Sequence, residues 1–170
     1  MFIERWETPM NTKQTEKGFT IIEVVLVLAI AGLIFLMVFV ALPALQSGQR
    51  DTSRKSDVGS VASAVTTYAN NNRGTFPTTA NMDNQLEATG TGTNKTFAKL
   101  SNNINTVTVV NPATAGTYTI PDGTIRVYKG MKCGSNGVNG SVTITAGTSR
   151  QFATVTQLEG GNKSGYCLDT

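Results

Sequence analysis

The sequence predicts an α+β fold: a long N-terminal α-helix, hydrophobic in its first half and amphipathic in its second, packed on a C-terminal antiparallel β-sheet head. Three observations carry this. Val24 to Leu45 is a run of 22 residues without a charge, which as a helix at ~1.5 Å per residue spans roughly 33 Å, enough to cross a bilayer core. Beyond it, Val58, Val61, Ala62, Val65, Tyr68 and Ala69 recur at three- and four-residue steps and share one helical face. From Ile104 onward the apolar residues alternate with polar ones, the period of a strand.

Composition narrows the function classes. The chain has 170 residues, room for one modest domain beside the apolar run. Histidine is absent, which removes the commonest general base and metal ligand. The net charge of +3 is small and dispersed. The two cysteines, Cys133 and Cys167, lie in a Thr- and Asn-rich region, which favours a disulfide in an exported domain over a free buried pair. A metal would need two further ligands, and no Cys or His remains to supply them; no metal and no cofactor are expected. A bridge would close a 35-residue loop and contribute about 4 kcal/mol on the chain-entropy model. It would also place the C-terminal part outside the cytoplasm. Loop charge does not set the orientation: Arg5, Lys13 and Lys17 precede the run, and Arg50, Arg54 and Lys55 follow it.

Residues 1–18 read as a polar leader, starting at Met1 or at Met10. Residues 19–46 form the hydrophobic transmembrane segment. It is longer than the ~7–15-residue apolar core of a secretory signal, and ALPALQSGQR after it is a poor cleavage site. A plain single-pass anchor explains the length but not Glu23, since a carboxylate costs up to about 3 kcal/mol near the bilayer centre.

Gly18-Phe19-Thr20-Ile21-Ile22-Glu23, followed by the long apolar helix, resembles the processing motif of type IV pilins and related pilin-like subunits, over about residues 17–70. The resemblance implies that a membrane-embedded prepilin peptidase cuts between Gly18 and Phe19. It implies that Phe19 becomes the N-methylated terminus, and that Glu23 guides subunits into a helical homo-oligomeric filament. It implies a single-pass inner-membrane protein that moves to an extracellular pilus, serving adhesion, motility or DNA uptake. The implied partners are the peptidase/methyltransferase, an assembly platform and ATPases. A minor pilin, a secretion or competence pseudopilin, and a non-polymerising membrane-anchored binding domain stand as alternatives.

The chemistry suits the motif. Glycine presents no side chain to a protease. Cleavage creates a cationic amine four residues from Glu23. A neighbour's amine can offset the desolvation of that carboxylate, which makes Glu23 a register device. Gly32 and Pro43 are expected helix breakers, because proline removes one intrahelical hydrogen bond and clashes with the preceding turn. The resemblance implies that the segment between them can unwind in a filament.

Residues 47–73 continue the helix in amphipathic form, with Arg50, Asp51, Arg54, Lys55 and Asp57 marking its emergence into water and Gly74 capping it. Residues 74–170 form the head. Thr75 to Ser101 reads as a connection with a short helix over Asn81–Ala88. Expected strands are Asn105–Val110, Thr117–Ile120, Thr124–Tyr128, Ser141–Thr145 and Arg150–Leu158, with Pro121-Asp122-Gly123 as a hairpin turn. Gly134-Ser135-Asn136-Gly137 and Gly160-Gly161-Asn162 read as further turns. Cys167 is expected to pin the tail to a loop at Cys133.

No catalytic constellation is present, and no enzyme activity is expected: there is no phosphate-cradling glycine loop, nucleophile elbow or ligand cluster. Asp51/Asp57 and Asp83/Glu87 read as solvated carboxylates. Arg126, Lys129 and Lys132 around Tyr128 are either a weak DNA or anionic-surface patch or a solvated strand edge. Asn94, Asn139 and Asn162 start glycosylation patterns that chance also supplies.

Overall fold

The computed structural model describes residues 18–92, 95–111 and 113–170. The leader up to Lys17, with Met1 and Met10, and Asn94 of the first glycosylation pattern lie outside the described residues. The chain divides into two compact units, one ending at Ala41 and one from Leu42 to Thr170. Helix α1, Ile21–Asn71, contributes to both.

In the first unit α1 is aliphatic on every side, and its side chains from Ile21 to Val40 are exposed or nearly so. The helix is long and apolar enough to cross a membrane. An all-round apolar surface of this kind suits lipid or a packed bundle rather than water. The helix runs on through both Gly32 and Pro43. Pro43 brings no N–H, so the Phe39 carbonyl loses its intrahelical donor, yet neither expected breaker interrupts the helix in this chain.

In the second unit the face read from the sequence packs inward: Val58, Val61 and Val65 are fully buried and Ala62 nearly so. Helix α1 ends in a Schellman-type turn. Arg73 takes a left-handed conformation (φ 55°), and the Gly74 N–H donates to the Ala69 carbonyl at 2.7 Å. Helix α2, Thr79–Gln85, starts earlier than the sequence suggests because Thr78 and Asn81 form a reciprocal capping box.

Nine strands follow the helix–sheet logic in three sheets. A small pair joins β1 (Ala88–Thr89) and β2 (Thr96–Phe97). The central sheet has the order β3 (Thr106–Val110), β5 (Thr124–Lys129), β8 (Phe152–Gln157), β9 (Gly165–Asp169). The outer sheet has the order β4 (Gly116–Thr119), β7 (Ser141–Ala146), β6 (Met131–Asn136). Every pairing is antiparallel except β3 with β5, which is parallel.

The central sheet is buried on both faces. Ile125, Val127 and Phe152 join Val58, Val61, Val65 and Met82 in the core under the helices. Tyr128, Ala153 and Val155 join Ile120, Val142 and Ile144 in a second core between the sheets. Burial there raises the pKa of the Tyr128 phenol. The head is therefore layered as helices, central sheet and outer sheet.

Four expectations change. Pro121-Asp122-Gly123 does turn, with Gly123 at φ 68° and the Thr124 N–H on the Pro121 carbonyl, but it is no hairpin. It carries the chain from the outer sheet to the central one, because β4 pairs with β7 and β5 with β3 and β8. Gly134-Ser135-Asn136 is not a turn but the bulged half of β6. Gly134 serves close approach there, since a Cβ would lie 2.8 Å from the Thr143 carbonyl oxygen. The tail is a full strand, β9. The fourth change concerns charge: Arg54 and Asp57 are buried, at 3% and 6% exposure, rather than solvated.

These charges dock the helix. Arg54 donates from Nη1 to Asp122 (2.5 Å) and to the Gln157 carbonyl (2.7 Å), and from Nη2 to Glu159 (3.0 Å). Arg50 Nε meets the other oxygen of Glu159 at 2.5 Å. Asp51 accepts from the N–H groups of Glu159 (2.6 Å) and Gly160 (2.9 Å). Asp57 accepts from the Ser101 N–H at 2.9 Å and from the Ser101 hydroxyl. Asp83 and Glu87 are likewise paired, with Lys95 and Lys99.

The disulfide joins Cys133 on β6 to Cys167 on β9, so it fastens the outer sheet to the central one. It spans a sequence separation of 34 and encloses β7 and β8. Reduction is expected to lower the unfolding free energy of the head by about 4 kcal/mol; urea denaturation followed with and without reductant measures it.

Candidate functional site

The site is the start of α1. Thr20 precedes the first helical residue, and the Thr20-Ile21-Ile22-Glu23 spacing forms a capping box. Glu23 Oε2 accepts from both the Thr20 N–H and the Thr20 hydroxyl at 2.8 Å. The Glu23 N–H donates to the Thr20 carbonyl at 3.1 Å and to its hydroxyl oxygen at 3.4 Å. The carboxylate therefore sits over the positive end of the helix, where the first N–H groups have no intrahelical partner.

Gly18 and Phe19 lie just ahead of this cap. Phe19 is 88% exposed. A Cβ built on Gly18 meets nothing within 4 Å, so the fold of this chain sets no requirement for glycine there. The same holds for Gly32. A demand for glycine at position 18 must come from something outside the chain that grips the backbone.

The structure gathers Gly18, Phe19 and Glu23 at one helix end. Glu23 has a local hydrogen-bond partner that the sequence reading passed over, although the T-x-x-E signal was there. Among the described residues no group of three His, Cys, Asp or Glu side chains is placed to hold a metal. Arg126 and Lys129 do not form one patch. They project from opposite faces of β5: Lys129 lies over the Phe76 ring on the helix side at 5.7 Å, and Arg126 shares the Tyr128 face.

A family model described as the prokaryotic N-terminal methylation motif matches residues 13–39. The matched stretch contains Gly18, Phe19, the capping box and the first turns of the apolar helix. The chain thus carries the type IV prepilin signature and is a prepilin-type protein, with the context of peptidase processing and pilus assembly that the motif implies. Among the curated proteins and solved structures compared, none matches the chain.

The cap has a measurable consequence. Thr20→Val removes the hydroxyl that holds the carboxylate, while Thr20→Ser keeps it. Amide exchange at residues 21–23 of the detergent-solubilised chain is expected to speed up in the first variant and stay close to wild type in the second.

Proposed function

We propose that this chain is a filament subunit. The observation that carries the reading is an all-round apolar helix with a single carboxylate, Glu23, at its start, directly after Gly18 and Phe19. In this reading residues 1–18 are a leader removed by a prepilin peptidase, and Phe19 is N-methylated. Residues 19–46 serve first as a bilayer anchor and then as the filament core. Residues 47–73 tie that core to the head, residues 74–170.

Glu23 gives the assembly its register. In the unassembled chain its carboxylate is spent on the helix cap. In the filament it pairs with the terminal amine of a neighbouring Phe19, and a misplaced neighbour leaves two charges unpaired in an apolar surrounding. The Gly32–Pro43 segment is where the polymer can unwind under load, since Pro43 already leaves one helical carbonyl without its donor. The filament stands at the cell surface, and its assembly energy comes from partner ATPases acting through a membrane platform. Adhesion, surface motility and DNA uptake are the roles such a filament serves.

The mature N-terminus is the direct test. Mass spectrometry of the membrane-inserted protein is expected to find a chain beginning at methylated Phe19. A chain beginning at Met1 or Met10 instead identifies an anchored domain that never polymerises, and overturns the reading.

Glu23→Val tests the role of the carboxylate. Its level in the membrane is expected to match wild type, while filaments seen by electron microscopy fall to a small fraction. Filaments of normal number and length in this variant would sink the register role.

A further inference from the structure

At the end of the head where α1 stops, a cleft of about 640 Å³ opens between the last turn of the helix and the β7–β8 connection. Its floor is apolar, formed by Val65, Ala69, Phe76 and Phe152. Two guanidinium groups, Arg73 and Arg150, line it from opposite elements, and the amides of Asn70 and Gln151 stand between them. Lys129 adds a third cation beside the floor, over Phe76. No Asp or Glu side chain lines the cleft, and neither arginine is in a salt bridge among the described residues. Elsewhere in the head the opposite holds: Arg50, Arg54, Lys95 and Lys99 all meet carboxylates.

Arg73 occupies the left-handed position at the helix end, which glycine fills most easily. A long cationic side chain is held there at a conformational cost, and it lines the cleft.

We propose that this cleft binds an acidic saccharide, a sugar unit bearing a carboxylate, on the surface of the head. A guanidinium offers a planar fork that matches a carboxylate in two parallel hydrogen bonds. The amides of Asn70 and Gln151 and the hydroxyls of Thr66 and Ser149 can serve sugar hydroxyls, and the floor takes the apolar face of the ring. The volume suits one or two sugar units. Single-stranded nucleic acid fits less well. It needs free aromatic faces for base stacking, whereas Phe152 is 4% exposed and packs edge-on to Phe76, whose own ring lies under Lys129. The site is separate from the apolar helix and stands whether or not the chain polymerises.

The test uses the full chain in detergent and fluorescently labelled tetragalacturonate, read by polarisation. Its methyl ester and a twelve-residue oligothymidylate are the comparison probes. Tetragalacturonate is expected to bind and the neutral ester not to. Arg73→Asn, which tolerates the left-handed backbone, and Arg150→Gln are each expected to weaken binding about tenfold, the loss of one charge-assisted contact. Arg126→Gln, on the opposite face of β5, is expected to leave it unchanged. Equal binding of the ester, or wild-type binding by both cleft variants, overturns the proposal. Tighter binding of the oligothymidylate overturns it in favour of a nucleic-acid site. Arg150 lies in an exposed turn, so its variant keeps the test decisive even where Arg73→Asn fails to fold.

Discussion

Arg54 is the point at which helix, turn and sheet meet in the head. Its guanidinium reaches the Pro121-Asp122-Gly123 turn, the end of β8 and Glu159 together, while Asp51, one turn earlier, holds the backbone of Glu159 and Gly160. Apolar packing by Val58, Val61 and Val65 supplies most of the drive, but it is non-directional, and valines on a ridge can slide by a turn. The buried charge cannot. A slip by one turn would strand Arg54 away from two carboxylates and a carbonyl, at a cost of several kcal/mol. Asp57 with Ser101 adds a second fixed point one turn on. The polar seam thus gives the helix its register on the sheet, and the valines give it its adhesion.

The same device recurs at the start of the helix. Glu23 is a lone carboxylate on an apolar surface, and its direction is fixed by hydrogen bonds to Thr20. At both ends of α1 a small number of directional polar contacts settles what many undirected apolar contacts leave open. This is how a helix with one unvarying aliphatic surface can still specify a position.

How legible this was depended on whether a feature is local. The long helix, its amphipathic second half and the motif at Gly18–Glu23 were readable because each is a pattern within a few turns. The five expected strands were found within two residues of their places. The failures are all non-local. Gly134 looked like a turn residue, but its meaning is set by Thr143 on the neighbouring strand. The turn at Asp122 was real, but whether it closes a hairpin depends on which sheets its flanks join, and no short window holds that. Arg54 and Asp57 read as solvated because their partners, Asp122, Glu159 and Ser101, lie far along the chain. β9 was hidden by its short length, and by side chains such as Tyr166 and Leu168 that only gain a face once β8 is beside them. The candidate site was legible in its residues and not in its geometry: Glu23 was marked, but its bond to Thr20 was not.

β9 also has a consequence for the order of events during export. Its residues, 165–169, are among the last to leave the ribosome and the last to cross the membrane when the helix leads. They complete the central sheet beside β8, and Cys167 among them completes the fastening to the outer sheet. Until then β8 is an open edge with its hydrogen-bonding groups unpaired, and the second core lacks its clasp. Translocation is therefore read out by the fold itself: a head stalled partway stays unlatched, and only a chain delivered in full, into a compartment that oxidises thiols, locks shut.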